Sequence, residues 1–589
     1  MMEKWFVAAK KADFNAWSKK LNISPVTARI IRNRDIFSEE EAEKYVNGTF
    51  LDMYPPELMV DMEEAAAIIE RKIRSGEKLR VIGDYDVDGI MASHILTKGL
   101  RALSAEVDTV IPHRVRDGYG LNEQLIADAF TDGINTIITC DNGIAAAPQI
   151  ALAVSKNMTV VVTDHHEVPY TEENGQRVEL LPPAAAVVDP KREDCTYPYK
   201  NICGAVVAYK LISLLLRRAG MKPEQKQELL DEFLQLAAVA TVCDVMELLD
   251  ENRIIVKEGL QRMQRCPCEG IRALLAVNGI EQEKLSAYHL GFVIGPCLNA
   301  TGRLDTAARA LALLSADDRR TAVQAAEELK EMNDSRKLMT FKGLEKAVAY
   351  VEENAIAQDK VLVVYLPDCH ESLAGIVAGR LREKYGRPVF VLTRAEDGVK
   401  GSGRSVEGYD MYASMTACKT LFTKFGGHKM AAGLSMREED IPELRKQLNE
   451  TCSLTEEDFI EKVHIDVPLP LAYADKKLAE ELQILEPFGT ANPKPLFACK
   501  EVHFLAGKKM GAKENFARYR VEHEGKGYEV VYFGGLEKFH AFLTEKFGEG
   551  AEEALYKGGC DYCLSITYQL GINSYRGRSE VQLLMQHFC

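Results

Sequence analysis

The stretch Leu79-Arg80-Val81-Ile82-Gly83-Asp84-Tyr85-Asp86-Val87-Asp88-Gly89 passes from a short apolar run into three aspartates at alternate positions. Side chains two apart share a face of an extended chain, so Asp84, Asp86 and Asp88 can point the same way. Carboxylates ~4 Å apart repel by about 4 kcal/mol at an effective dielectric of 20, so such a cluster calls for a cation or for raised pKa values. The pattern D-x-D-x-D-G also opens a calcium loop, but that loop requires Glu at its twelfth position, where this chain has Ile95. A strand-like run, not a helix, precedes it. Taken alone, the motif is equally compatible with an acidic surface turn.

Working outward, two further apolar runs end in the same way. Thr136 to Thr139 leads into Cys140-Asp141-Asn142-Gly143, and Thr159 to Val162 leads into Thr163-Asp164-His165-His166-Glu167. From Lys78 to about Asp244 such runs alternate with Ala- and Leu-rich helical stretches, which predicts βαβ units and a parallel sheet. Ligands of open α/β sheets bind beyond the carboxyl ends of the strands, so the three acidic ends are expected to converge. Carboxylate oxygens with imidazole suit manganese or magnesium better than a thiolate-rich zinc site.

Beyond Asp305 the sequence turns helical for about 50 residues, with Val323, Ala326, Leu329 and Met332 at helical spacing. This predicts a long connector. A second α/β lobe starts at Lys360 to Tyr365, continues through Arg387 to Leu392 and closes on a Gly-rich segment at 426–433. From Pro495 onward, alternating aromatic and β-branched residues predict a small β-barrel interrupted by one helix near 534–556. The expected class is therefore α/β: two α/β lobes joined by a long helix, then a C-terminal barrel. The expected boundaries are a helical lead-in at 1–75, a first lobe at 76–305, the connector at 306–355, a second lobe at 356–455 and the barrel with its approach at 456–589.

Composition bounds the function classes. With 589 residues, 46% hydrophobic and 27% charged, the chain reads as an ordinary globular protein of several domains. No run approaches the ~20 apolar residues of a membrane span, and the N-terminus has no signal-peptide core, so a cytoplasmic location without membrane contact is expected. Fourteen cysteines scattered through such a chain read as reduced thiols. The close pairs Cys266/Cys268 and Cys560/Cys563 lack the four-ligand set of structural zinc. The net charge of −15 argues against coating duplex DNA with the whole surface. Yet Ile376 to Leu434 holds ten Lys/Arg against five Asp/Glu, a local balance of +5. Phosphate is best held by guanidinium forks, hydroxyls and glycine-flanked amides, groups that this basic, Gly-containing stretch supplies.

The motifs GDYDVDG (83–89), CDNG (140–143) and TDHHE (163–167) resemble the first three motifs of the DHH phosphoesterases, and TVCDVMEL (241–248) resembles the fourth. The resemblance implies two Mn2+ or Mg2+ ions held by Asp84, Asp86, Asp88, Asp141, His165, His166 and Asp244, with Asp164 orienting a histidine from behind. Within that superfamily the chain looks like the RecJ family over nearly its whole length, on the strength of IPHRVRDGYGL (111–121), GPCLNATGRLD (295–305), CHESLAGIVAGRL (369–381), GSGRS (401–405), FGGHKMAAGLS (425–435) and LEPFGTANPKPLF (485–497). That likeness implies a DHH lobe, a DHH-associated lobe and an OB-fold. It also implies a 5′-to-3′ exonuclease that hydrolyses single-stranded DNA to 5′-mononucleotides in repair and recombination, working near a single-strand-binding protein and a helicase. Substrate residues implied by it are Arg114, Asn299, Arg303, His370, Ser402, Arg404, Gly427 and His428. Two positions depart from the family pattern on the substrate side: Cys297 stands where Arg is expected, and Ser372 where Gly is usual. In the tail, Arg518, Arg520, Arg576 and Arg578 with Tyr519 and Tyr575 form a possible stacking pattern for single strands. Two other readings stay open: a DHH-family phosphodiesterase of oligoribonucleotides or cyclic dinucleotides, and a non-catalytic replication scaffold, which should lack carboxylates.

Overall fold

The computed structural model describes residues 3–589 except 115, 119, 174, 266, 576 and 577, and leaves the side chains of 574, 575 and 578 undescribed. Two compact units emerge. The first holds residues 54–246 and 258–461; the second holds 4–53, 247–257 and 462–589.

In the first unit, five strands build a parallel sheet: β1 (Leu79–Ile82), β2 (Val107–Val110), β3 (Thr136–Cys140), β4 (Thr159–Thr163) and β5 (Ala186–Val188), in the order β2-β1-β3-β4-β5. Nearly every residue of β1, β3, β4 and β5 is buried, as expected of a parallel sheet covered on both faces. The register aligns the strand ends. Ile82 pairs with Thr139, Cys140 with Thr163, and Thr163 with Val188. Asp84, Asp141, Asp164 and Asp189 consequently leave the sheet in one row.

Helices α1 (Val87–Ala102) and α2 (Gly204–Arg218) pack on the sheet, and α3 (Pro223–Cys243) packs against both. Further along the chain come α4 (Gly295–Leu304) and the 35-residue α5 (Arg319–Glu353). The expected long connector is thus present, capped at its start by Asp318, whose carboxylate accepts from the Arg320 and Thr321 amides. A second sheet follows, built from β6 (Leu362–Tyr365), β7 (Val389–Ala395), β8 (Gly398–Arg404), β9 (Phe422–Gly427) and β10 (Ala431–Met436), ordered β9-β10-β8-β7-β6. Only β6 and β7 run parallel, bridged by α6 (Glu371–Tyr385).

The second unit contains a closed five-stranded barrel of β11 (Phe497–Met510), β12 (Phe516–His523), β13 (Lys526–Tyr532), β14 (Tyr562–Tyr575) and β15 (Arg578–Phe588). Pairing runs β11-β12-β13-β15-β14 and closes through β14–β11, with β13 and β15 parallel. Two helices, Leu536–Phe547 and Ala551–Lys557, stand where the sequence predicts one. Residues 4–53 join this unit instead of forming a body of their own. Helices of eight or nine residues are marginal alone, and Trp17, Ile30 and Tyr45 share one buried cluster with Phe497, Phe504 and Tyr568.

The tail corrects one expectation. Tyr519 is fully buried, ringed by Phe504, Phe539 and Tyr556, so it fills the barrel instead of offering a face to bases. Strand alternation turns its neighbours Arg518 and Arg520 outward, and Arg518 lies 3.3 Å from Glu529. Arg576 and the side chains of Tyr575 and Arg578 lie outside the described residues. The thirteen described cysteines are free thiols. Among the described residues, no helix is long and apolar enough to cross a membrane.

Candidate active site

The site forms where the carboxyl ends of β1, β3 and β4 meet α1 and the end of α3. Asp86 caps α1, its Oδ1 accepting the amides of Asp88 at 2.9 Å and Gly89 at 3.2 Å. Gly89 allows the helix to start this close to the strand end, because a Cβ there would fall 2.4 Å from the Asp84 carbonyl oxygen. Asp88 is buried on the first turn, and its carboxylate accepts the amides of Gly204 at 2.6 Å and Ala205 at 2.7 Å, the start of α2. Asp141 follows β3 in a left-handed conformation, φ 59°, which is uncommon for a residue with a side chain. A strained backbone of this kind persists only where its surroundings over-determine it, and functional sites are the usual place. Asn142 ties the adjacent ends together, donating through Nδ2 to the carbonyls of Ile82 at 3.1 Å and Cys140 at 2.9 Å.

Three overlapping triads result. Asp84, Asp86 and Asp141 form one; Asp141, His165 and His166 a second; Asp88, His165 and Asp244 a third. In each, the ligand atoms lie within 4.8 Å of one another. Asp141 and His165 each belong to two triads. His165 Nε2 is 3.0 Å from Asp141 Oδ1, 3.4 Å from Asp88 Oδ2 and 3.8 Å from Asp244 Oδ2. The structure therefore brings together all seven residues expected to hold metal. Asp164 stands behind them, as expected: its Oδ1 accepts the amides of His165 at 2.8 Å and His166 at 3.3 Å and lies 2.7 Å from His166 Nδ1, while Oδ2 accepts the Ile144 amide at 2.9 Å.

The electrostatics fit a cation. Burial, then Asp86, holds Asp84 well above the usual carboxylate range; burial, then Asp88, does the same to Asp141. Burial and Asp86 push Asp88 to about 6 against the opposing amides of Ala205 and Gly204. Burial and Asp88 push Asp244 to about 7. Asp164 goes the other way: burial would raise it, but the His166 hydrogen bond and charge outweigh that and lower it. His166 is correspondingly held at about 9, its Asp164 contact overcoming burial. Among the described residues none gives a hydrogen bond to the buried Asp84 Oδ1. A buried cluster of mutually repelling carboxylates with an orphaned oxygen suits divalent cations.

Next to this cluster, across Tyr85, is a cavity of about 420 Å³ whose lining includes Arg114, Arg303, Ser402, Arg404, Lys400 and Lys424. The Arg114 guanidinium lies 4.7 Å from the Tyr85 ring, and Tyr85 sits between Asp84 and Asp86, so cavity and carboxylates adjoin. Arg303 donates to the Ser372 carbonyl at 2.8 Å. Burial, then the charges of Arg114, Arg336 and Arg404, pushes Arg303 down to about 10. Arg404 is lowered by burial, then by Arg382 and Arg114. Such crowding of cations is relieved by a bound anion.

The remaining expected substrate residues divide. His428 lines a second cavity, to which His166 also contributes. Gly427, at the end of β9, has φ 148°, and a Cβ there would meet the Ala431 carbonyl oxygen at 2.5 Å, so it sets the turn that presents His428. Asn299 is half-buried on α4 and lines neither cavity. His370 caps α6, its Nδ1 2.8 Å from Ser372 Oγ, and lines a different pocket with Met339 and Lys342. It reaches the arginine cavity only through Ser372 and does not line it. Cys297 is fully buried, with Asn333 Nδ2 3.4 Å from its sulfur, so that departure falls in the packing between α4 and α5 and not in the cavity. Ser372 does line the cavity. The sequence reading missed Asp189, fully buried at the end of β5 and pushed to about 7 by burial and Asp164; its signal was a fourth strand-like run, Ala186 to Val188, again ending in aspartate.

Comparison with known proteins agrees with this arrangement. Family models match as the DHH family N-terminal domain at residues 78–241, the DHHA1 domain at 358–454 and the RecJ OB domain at 465–587. The single-stranded-DNA-specific exonuclease RecJ of Bacillus subtilis is 34% identical over 573 residues, 97% of this chain and 68% of that protein. Its Escherichia coli namesake is 32% identical over 582 residues, 96% of each chain. The crystal structure of Thermus thermophilus RecJ with Mn2+ superposes with a TM-score of 0.80 at 26% identity, covering 100% of this chain and 79% of that one. With its motifs, its domain set and near-full-length relatives in agreement, the chain belongs to the RecJ family.

Proposed function

We infer that the protein is a divalent-metal-dependent exonuclease that removes 5′-mononucleotides from the 5′ end of single-stranded DNA. The carrying observation is the arginine cavity adjoining the carboxylate cluster at Tyr85. A terminal phosphate seated among Arg114, Arg303 and Arg404 places the next phosphate of the strand at the cluster, which supports both the 5′ polarity and the mononucleotide product. The curated relatives named as single-stranded-DNA-specific exonucleases support the substrate.

Asp84, Asp86, Asp88, Asp141, His165, His166 and Asp244 would hold two Mn2+ or Mg2+ ions. Bound there, such ions supply Lewis acidity toward the phosphoryl oxygens and a nucleophile at neutral pH. Asp164 fixes the orientation and tautomer of His166 through Nδ1. The arginines hold the terminal phosphate through charge-assisted hydrogen bonds. His428, carried on the Gly427 turn, faces the reacting phosphate from the second lobe.

A cyclic dinucleotide has no terminal phosphate for the arginine cavity, and a scaffold without metals has no use for a complete buried carboxylate set. The exonuclease reading further implies a cytoplasmic enzyme supplied with strands by a helicase and a single-strand-binding protein, in repair and recombination. The test is a time course on end-labelled single- and double-stranded DNA with Mn2+ or Mg2+. Mononucleotides released from the 5′ end of single strands are expected; internal fragments, or release from the 3′ end, would overturn the reading.

A further inference from the structure

The second cavity, about 540 Å³, shares His166, Asp164 and His428 with the mechanism above, but its remaining walls have no part in it. His166 and Asp164 form one wall and His428 another; Leu121, Ile144 and Ala145 contribute apolar surface, and Gln149 supplies an amide. Lys191 and Glu167 also line the cavity, paired with one another at 3.1 Å, so the lysine charge is already matched. The size is that of a small-ligand site, and apolar surface with a few polar groups suits a nucleoside better than a second phosphate. It shares no lining residue with the arginine cavity. Within the cluster the two lie on different sides. The arginine cavity adjoins Tyr85, whereas this one adjoins His166, and Asp141 belongs to the triads of both sides.

We propose that this cavity seats the nucleoside immediately 3′ of the scissile phosphate, with Gln149 facing its base. The proposal rests on the exonuclease reading. With the terminal phosphate among the arginines, the second phosphate at the cluster and the second nucleoside in this cavity, the bond to break is the one to the 3′-oxygen of the first nucleotide. Water adds to phosphorus, the P–O3′ bond breaks and the departing 3′-oxygen takes up a proton. The products are a 5′-mononucleotide with a free 3′-hydroxyl and a strand one residue shorter that again carries a 5′-phosphate, ready for the next cycle.

The rival path leaves past Asp244, where Tyr288 and Phe292 are exposed and stacked with ring centroids 5.1 Å apart. Their segment is tied to the end of α3 by Cys243 Sγ, 3.5 Å from the Leu290 carbonyl oxygen.

Two substrates decide: the dinucleotide d(pTpT), and 5′-phosphothymidine 3′-methylphosphate, in which a methyl group replaces the second nucleoside. Release of thymidine 5′-monophosphate is measured for each with Mn2+. The wild type is expected to favour d(pTpT) in kcat/KM by about tenfold, the scale of one seated base. Ala145→Trp, a change at an exposed position that fills the cavity, is expected to bring the ratio close to one, and Gln149→Trp to do the same, with thermal melting verifying that each variant folds. Equal cleavage of both substrates by the wild type, or a ratio untouched by both variants, overturns the proposal while leaving the exonuclease reading intact. Collapse of the ratio in Tyr288→Ala instead also overturns it, in favour of the rival path. If neither substrate releases the mononucleotide, the exonuclease reading itself fails.

Discussion

The Asp164 carboxylate lies 2.7 Å from His166 Nδ1 and accepts the backbone amide of the same residue, so one side chain fixes both the ring and the chain that carries it. Asp164→Asn keeps the shape but replaces the charged acceptor. Loss of such a partner behind a metal ligand is expected to weaken Mn2+ binding or activity by about 10- to 100-fold. Manganese titration by calorimetry checks this; wild-type affinity in the variant would remove Asp164 from the ligand-orienting role.

Asp141 lies in two triads, so its loss affects both. Asp141→Ala is expected to lower turnover below about one-thousandth of wild type, on the scale of removing a principal electrostatic group. In wild type, Mn2+ at about 100 times its Kd should stabilise by about 2.7 kcal/mol, and in the variant by less. Calorimetric melting with and without manganese measures both.

Arg404 belongs to the cation cluster with Arg114 and Arg303. Wild type is expected to prefer 5′-phosphorylated over 5′-hydroxyl strands, and Arg404→Ala to reduce that preference by about 10- to 100-fold, the worth of one hydrogen bond to a charged group. Arg404→Lys should recover it only in part, since a point charge does not reproduce a guanidinium fork. Competition between the two substrates in one tube reads the ratio directly; an unchanged ratio removes Arg404 from phosphate recognition.

His94, buried on α1 with Glu232, Lys98 and Arg101 around it, has its pKa lowered chiefly by burial. Its folded value lies below its unfolded one, so the stability it contributes is complete above the unfolded pKa, about 6.5, and is lost as pH falls through the folded value. Melting of wild type between pH 7.5 and 5 should therefore fall more steeply than melting of His94→Gln. Parallel curves would show that His94 does not drive the acid sensitivity.

Much of the site was legible because parallel strands bury both faces and end in polar cargo. Ile82, Thr139 and Val162 each lie at or near the last buried row, and the aspartates after them could be read as convergent. Asp189 escaped because its strand is three residues long and follows a hairpin, Tyr170–Glu173 with Gln176–Glu179, that interrupts the alternation. The capping role of His370 was not legible, because it depends on α6 starting at the next residue. Cys297 looked like a substrate-side departure because spacing along a helix does not say which face meets α5. Tyr519 was misread for a related reason. Basic flanks suggest a binding strip, whereas the pleat sends the tyrosine inward and the arginines out.

The in-register row of Asp84, Asp141, Asp164 and Asp189 has a consequence for how such an enzyme can change. One residue gained or lost inside β3 or β4 would slide its terminal aspartate by about 3.3 Å and turn it to the opposite face. The same event in the loop beyond would leave the carboxylate where it was. Length variation among homologues should therefore accumulate after these aspartates and be absent from the three to five strand residues before them, and a designer moving this chemistry to another scaffold must transplant whole strands together with their pairing frame.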